Sequence, residues 1–335
     1  MEDNKINILI FNNQALGDMI LGTHLATVIK QDIPDCHITF AIPDNSMLTM
    51  STNNHDKGLF EMMEILALQP NIDCFALFNN EKQGIIPVSG IKPEKEFDKI
   101  YTQSEWWSDL GIAASMMIPY YRDKLSEKEF SSLNRKDINT ETKFNVCSEK
   151  ITSKYSIPTI ATAGPLDWNN KYKSEERRQE VLKGIESIAP DIRIIMLGAD
   201  IGDRTYLQSL QILNNCKLYL GPEGSMSHIA AGLGIDTISL SSIYPREWLS
   251  PKYYHSGYHI DIVPRAEDTC DSFNCIKRKD FDYTQPQGWG NPPCQFSTWP
   301  HTCPYTKNGW SCIHNIKVED ILNEFEIWYK ERYNK

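Results

Sequence analysis

Short aliphatic runs alternate with stripes of apolar residues at helical spacing along most of the chain, a pattern that predicts an α/β protein. Residues 6–11, Ile-Asn-Ile-Leu-Ile-Phe, suit a strand buried in a parallel sheet. Leu21, Leu25, Val28 and Ile29 then share one helical stripe, Pro34-Asp35 ends the segment, and a second strand is expected over 37–42. The βαβ opening continues with a helix over 61–68 and strands over 73–78 and 98–101. From 120 to 153 charges are dense and periodicity is weak, which predicts helical and linker material ending at a domain boundary.

A second series begins with a strand over 158–162 and a loop at Ala163-Gly164-Pro165. The helix that follows starts at Ser174-Glu175-Glu176, where a capping residue and two acids suit the positive end of a helix dipole, and its stripe is Val181, Leu182, Ile185 and Ile188. Strands are expected over 193–197, 218–220 and 237–240, with a helix carrying Met226, Ile229, Ala230 and Leu233 between the last two. Val318, Ile321, Leu322, Phe325, Trp328 and Tyr329 make the clearest amphipathic helix, which must cover a large apolar surface. Two similar α/β halves are expected, over 1–153 and 154–315, the second with a Cys, Trp and Pro-rich excursion at 264–315, followed by a final helix over 316–335.

Length agrees with that division, since 335 residues exceed the usual size of one domain. The formal charge of −10 argues against a general nucleic-acid or anionic-membrane binder, because such proteins present positive surface to phosphates. The apolar run at 6–11 is too short for a signal-peptide core or a membrane span, so a cytoplasmic protein is expected. Of nine cysteines, Cys36, Cys74, Cys147 and Cys216 are scattered, while Cys270, Cys275, Cys294, Cys303 and Cys312 crowd into the excursion. No C-x2-C knuckle occurs among them, so packing of a surface subdomain is expected there and no metal.

Two turns carry candidate chemistry. Gly17-Asp18 lies at the first strand-to-helix turn, with Gly22, Thr23 and His24 after it, where open α/β sheets collect ligands beyond the carboxyl ends of their strands. Asp18 there could take a proton from a hydroxyl, or it could be an acid that merely complements the helix dipole. In the second half Glu223, Gly224, Ser225, Met226, Ser227 and His228 follow a strand and open a helix. Free amides at a helix start, a flexible glycine and two hydroxyls can hold a diphosphate without a cation, and the same residues also suit an ordinary capped helix. Lys171, with Lys173 as its competitor, lies in the loop before the first helix of this half, placed either to meet a leaving diphosphate or to sit in solvent. The dinucleotide fingerprint, the phosphate loop ending in Gly-Lys-Ser/Thr and the Gly-x-Ser-x-Gly turn are all missing, and so is a pair of acids one residue apart near Gly224.

The run Leu16-Gly17-Asp18-Met19 through Ile38-Thr39-Phe40, the Ala163-Gly164-Pro165 loop with Lys171, and Gly221 to Gly234 resemble the corresponding segments of the heptosyltransferase-like glycosyltransferases, glycosyltransferase family 9. The resemblance implies a GT-B fold of two facing Rossmann-like domains, acceptor on the first and donor on the second, with the last helix crossing back to the first. It implies inverting, metal-independent transfer of a heptose or other hexose from a nucleotide-diphosphate sugar to a glycan or glycolipid, with no cofactor. A glycolipid acceptor would bring the protein to the inner face of the membrane. By motif position Asp18 would be the general base, Lys171 a phosphate contact, Gly224 to Ser227 the diphosphate cradle with Glu223 and His228 beside it, and Gly17, Thr23 and His24 the acceptor side. Glu223 stands where the family usually has aspartate, His24 where it usually has proline, and the loop before Leu16 lacks the usual basic residue. Sugar interconversion on the same architecture, as in a nucleotide-sugar epimerase, and non-catalytic sugar or nucleotide binding are the competing readings.

Overall fold

The computed structural model describes residues 5–12, 16–43, 64–79, 86–87, 97–103, 112–134, 137–138, 140, 158–164, 175–197, 205–241, 250–253, 255–268 and 315–333. The chain divides into two compact units, Met1–Ser148 with Thr205–Leu207, and Glu149–Arg204 with Gln208–Lys335. Each is built on a sheet of mostly parallel strands.

In the first unit β1 (Asn7–Phe11), β2 (His37–Pro43), β3 (Cys74–Asn79), β4 (Ile86–Pro87) and β5 (Lys99–Thr102) form a sheet in the order β4-β3-β2-β1-β5. All pairings are parallel except β3 with β4. Strand β1 has partners on both edges, and Ile8, Leu9 and Ile10 are wholly buried, as an unbroken aliphatic run requires. Its neighbours β2 and β5 lie on opposite sides of it, so the chain changes direction across the sheet at β1.

The single helix expected after β1 is two, α1 (Leu16–Gly22) and α2 (His24–Asp32). Thr23 separates them. Its hydroxyl donates back to the Ile20 carbonyl at 2.6 Å, a bond that competes with the helical ladder and bends the chain. Three short helices follow β5: α3 (Ile112–Ser115), α4 (Ile118–Lys124) and α5 (Glu127–Ser131). The last starts at a capping box, in which the Ser126 hydroxyl accepts from the Glu129 amide and the Glu129 carboxylate accepts from the Ser126 amide. Helix α4 is tied to the end of α2 through Asp32, which receives the Tyr120 hydroxyl and the Lys124 ammonium at 2.6 Å each. Those two donors, Lys124 first, hold the Asp32 carboxyl below the ordinary carboxylate range.

The second unit contains β6 (Thr159–Ala163), β7 (Arg193–Leu197), β8 (Leu218–Pro222), β9 (Asp236–Leu240) and β10 (His259–Ile262), all parallel, in the order β10-β9-β8-β6-β7. Here the direction of winding changes at β6 and β8. Helix α6 (Glu175–Ile188) buries Val181, Leu182 and Ile185 of its expected stripe. Helix α7 (Tyr206–Leu213) and strand β10 are not expected from the sequence. Strand β10 escapes notice because two of its four residues, His259 and Asp261, are polar. The Thr237 hydroxyl and the His259 Nδ1 lie 2.9 Å apart, and His259 Nε2 donates to the Ser256 carbonyl at 3.1 Å. With both ring nitrogens engaged, burial holds this imidazole below its ordinary value, in the neutral form.

The final helix, α9 (Val318–Tyr333), packs on this second unit. Ile321, Phe325 and Trp328 are fully buried. Leu322 lies so close to α6 that a Cβ added at Gly184 would stand 2.3 Å from its Cδ1, so any larger residue there would push the Leu322 side chain aside. The Trp328 indole donates to the Asp236 carboxylate at 2.8 Å, and Arg332 meets the same oxygen at 3.0 Å. Within the second unit its apolar stripe packs on α6 and on β10. Before and after residues 269–314 the chain is joined to itself, with Arg265 paired to Glu319 and Asp320, Lys317 3.0 Å from Asp268, and the Asn315 amide donating to the Asp268 carbonyl at 2.8 Å. The expected excursion otherwise lies outside the described residues. Among the described residues no helix is long and apolar enough to cross a membrane.

Candidate functional site

The turn after β8 is shaped by backbone geometry. Strand β8 is buried along its whole length, and the Glu223 amide donates to the Leu240 carbonyl at 3.0 Å, extending the ladder with β9 by one residue. The chain then reverses at Gly224, whose φ of 154° and ψ of −164° lie in a region nearly restricted to glycine. Helix α8 (Ser225–Gly232) begins at once. The Ser227 hydroxyl accepts from the Gly224 amide at 3.1 Å and donates to the Gly224 carbonyl at 2.7 Å, which locks the reversal. The Ser225 and Met226 amides, first in the helix, have no carbonyl a turn behind them and point out of its positive end.

Beneath this turn Tyr219 bends over Gly221 and donates to the Pro222 carbonyl at 3.3 Å. A Cβ at Gly221 would lie 3.0 Å from the Tyr219 oxygen and 3.2 Å from the Ala163 amide nitrogen, so the glycine makes room for the phenol. The turn lies at the carboxyl end of β8 beside β6, where the winding of this sheet changes direction and α/β sheets bind ligands.

Exposure divides the predicted residues of this turn. Gly224 and Ser225 are half-buried and accessible, whereas Glu223, Met226, Ser227 and His228 are buried. Ser227, expected to lend a hydroxyl to an anion, is fully buried with its proton on Gly224, so it builds the turn. Met226 can offer only its amide. Lys171 and Lys173 lie outside the described residues, as does the rest of the loop between Gly164 and Glu175.

In the first unit the equivalent place is the carboxyl end of β1, also a point where the winding changes direction. Gly17 and Asp18 fall in the first turn of α1, as the sequence predicts, and the Asp18 side chain lies outside what is described. Thr23 and His24, expected on the acceptor side, are 1% and 3% exposed and belong to the junction of α1 and α2. Sequence reasoning misses two residues here. Asn12, at the end of β1, and Gln103, after β5, are wholly buried and joined by a 2.9 Å hydrogen bond from the Asn12 amide to the Gln103 carbonyl oxygen. Nothing local marks them, since 91 residues separate the pair. Tyr219 also goes unnoticed, though an aromatic two positions before a glycine at a strand end is a signal that could have found it.

No known protein-family profile matches the chain, and no curated protein matches it by sequence. Solved structures do. TibC from enterotoxigenic Escherichia coli, described as an iron-containing dodecameric glycosyltransferase, superposes with a TM-score of 0.57 at 12% identity over 97% of this chain and 77% of TibC. The same protein in complex with ADP-D-β-D-heptose, where it is described as a heptosyltransferase, gives 0.57 at 10% identity over 98% and 78%. A family 9 glycosyltransferase from Veillonella parvula gives 0.51 at 14% identity over 78% of this chain and 87% of its own. Among the described residues no group of three or more His, Cys, Asp or Glu side chains is placed to hold a metal ion, and the five tail cysteines lie outside them. Two parallel-stranded units, each turning over at the strand end that carries a predicted motif, give this chain the GT-B fold of the heptosyltransferase-like, family 9 glycosyltransferases.

Proposed function

We propose that this protein is an inverting, metal-independent glycosyltransferase that moves a heptose or other hexose from a nucleotide-diphosphate sugar to a hydroxyl of a glycan or glycolipid. The observation that carries this reading is the glycine-only reversal at Gly224, which leaves the first amides of α8 unused by the helix at the ligand-binding end of a parallel sheet. TibC, a structure of the same fold, was crystallised with ADP-D-β-D-heptose, which supports a nucleoside diphosphate as the group held there.

In this reading the Ser225 and Met226 amides take the diphosphate oxygens, and Lys171 adds a cation from the loop before α6. The Glu223 carboxylate accepts hydrogen bonds from sugar hydroxyls. The Asp18 carboxylate removes the proton of the acceptor hydroxyl as its oxygen bonds to the anomeric carbon on the face opposite the nucleotide. The anomeric carbon–oxygen bond breaks, its electron pair leaves on the nucleoside diphosphate, and the configuration inverts. Charge develops on the leaving oxygens, where fixed amide dipoles stabilise it without reorganising. A glycolipid acceptor would place this step at the inner membrane face of the cytoplasm.

Asp18→Asn tests the assignment. Loss of a general base lowers kcat by about 10²–10⁴-fold, while nucleoside diphosphate affinity, read by calorimetry, stays as in the wild type. A folded Asp18→Asn protein transferring sugar at near-normal rate would remove Asp18 from the mechanism.

A further inference from the structure

Helix α1 has seven residues, too few to hold a helical conformation or a fixed direction by itself. Its placement must come from tertiary links, and one side chain gathers three hydrogen bonds at its carboxyl end. Gln103 is 1% exposed, and its backbone amide donates to the Phe11 carbonyl at 2.8 Å, anchoring it to the end of β1. Its side-chain amide donates one hydrogen to the Gly22 carbonyl at 2.9 Å and the other to the Met116 carbonyl at 2.8 Å, and its oxygen accepts from Asn12 at 2.9 Å. Gly22 is the last residue of α1, so its carbonyl is one that the helix leaves without an internal partner. Met116 follows α3. Asn12 is itself fixed to β2, its backbone amide donating to the Ala41 carbonyl at 3.0 Å.

The fit around Gly22 is close. A Cβ at Gly22 would lie 2.4 Å from the Gln103 side-chain oxygen and 2.5 Å from the Asn12 side-chain nitrogen, distances no real Cβ contact shows. The glycine is needed so that helix and amide can touch. Asp18 lies four residues before Gly22, one turn back on the same face of α1. Whatever fixes Gly22 therefore constrains the short stretch of helix that carries Asp18.

We propose that Gln103, supported by Asn12, is a positioning residue for the catalytic base: a neutral buried clamp that joins the ends of β1 and β5 to the last carbonyl of α1 and so fixes the helix that carries Asp18. This rests on the reading of Asp18 as the base. A neutral clamp suits the task, because it orients the acid without a nearby charge that would alter its basicity.

The experiment uses the full-length protein with Gln103→Met, which keeps the length of the side chain and removes every polar contact. Amide hydrogen exchange over residues 19–22 is expected to accelerate by about tenfold or more, with β8 amides unchanged. Transfer kcat is expected to fall by about 10–100-fold, the penalty of a reacting group misplaced by an ångström or less, while donor KM and nucleoside diphosphate affinity stay within about twofold. A lower melting temperature with wild-type exchange in α1 and wild-type kcat would show that Gln103 only fills space, and would overturn the proposal. If the wild type transfers no sugar, the functional reading falls by itself, and the exchange data still decide whether the clamp holds α1. Should Gln103→Met fail to fold, Asn12→Ala keeps the bonds to Gly22 and Met116 and is expected to shift exchange and kcat in the same direction by about two- to tenfold; a folded Asn12→Ala protein with unchanged α1 exchange would refute the clamp.

Discussion

The two strand-to-helix turns that carry the predicted chemistry are held by different means. In the second unit the turn after β8 is self-contained: Gly224 supplies the backbone conformation, Ser227 locks it from one helical turn away, and Tyr219 supports it from three residues before Pro222. In the first unit the helix after β1 depends on Gln103, which lies 81 residues from its partner Gly22. A turn that grips a ligand through its own amides needs a fixed backbone, and local residues can fix it. A turn that presents one side chain needs a fixed direction, and only distant parts of the fold can supply that.

The strongest way to break the local arrangement is Gly224→Ala. A side chain at φ 154° and ψ −164° is strained by about 1–3 kcal/mol, which predicts a loss of nucleoside diphosphate affinity of roughly 5- to 150-fold if the turn relaxes to relieve it. Calorimetric titration measures this, and exchange in α1 should not change. Wild-type affinity in Gly224→Ala would mean that the amides of α8 do not hold the nucleotide.

A milder change tests the support below. Tyr219→Phe removes one hydrogen bond to the Pro222 carbonyl and leaves the ring in place. The expected cost is about 1 kcal/mol, divided between a lower melting temperature and a several-fold weaker nucleoside diphosphate. Exchange in β8 and α8 would report it, and a response in the first unit would contradict the separation of the two turns.

The smallest effect concerns pH. Asp32 pins the far end of α2 through Lys124 and Tyr120, and its carboxyl is held below the ordinary value of 3.8. For a depressed acid the stabilisation is complete above the unfolded value and is lost as pH falls through the lower folded value. Asp32→Asn should therefore cost the first unit a few tenths to about 1 kcal/mol at neutral pH, the range for partly exposed pairs, and this difference from wild type should vanish in strong acid. Denaturant titrations at pH 7 and at pH values below 3.8 check the sign. A difference that grows toward acid would refute it.

Legibility in the sequence followed locality. The aliphatic runs of β1, β2, β6, β7, β8 and β9 and the stripes of α6 and α9 are statements about neighbouring residues, and the folded chain uses them nearly where they are expected. The Gly221 to His228 turn was readable for the same reason, since small residues between a strand and a helix constrain only themselves. Three things were not readable. Strand β10 hides its buried His259 because its partner, Thr237, comes from another strand. The stripe of α9 says that it must pack but not on which surface, and the contact at Gly184 decides that. Asn12 and Gln103 are ordinary amides in the sequence and become a device only when β1 and β5 lie side by side.

The contact between Gly184 and Leu322 also bears on the order in which the protein is made. During synthesis chains emerge amino end first, so most of the first unit can condense while its partner is still incomplete. The second sheet receives its cover over α6 only after residues near 333 have left the ribosome. For as long as the roughly 140 residues between α6 and the end of α9 take to appear, on the order of ten seconds or more, the apolar side of α6 stays open to whatever holds nascent chains. The half that would grip the nucleotide is therefore the last to mature.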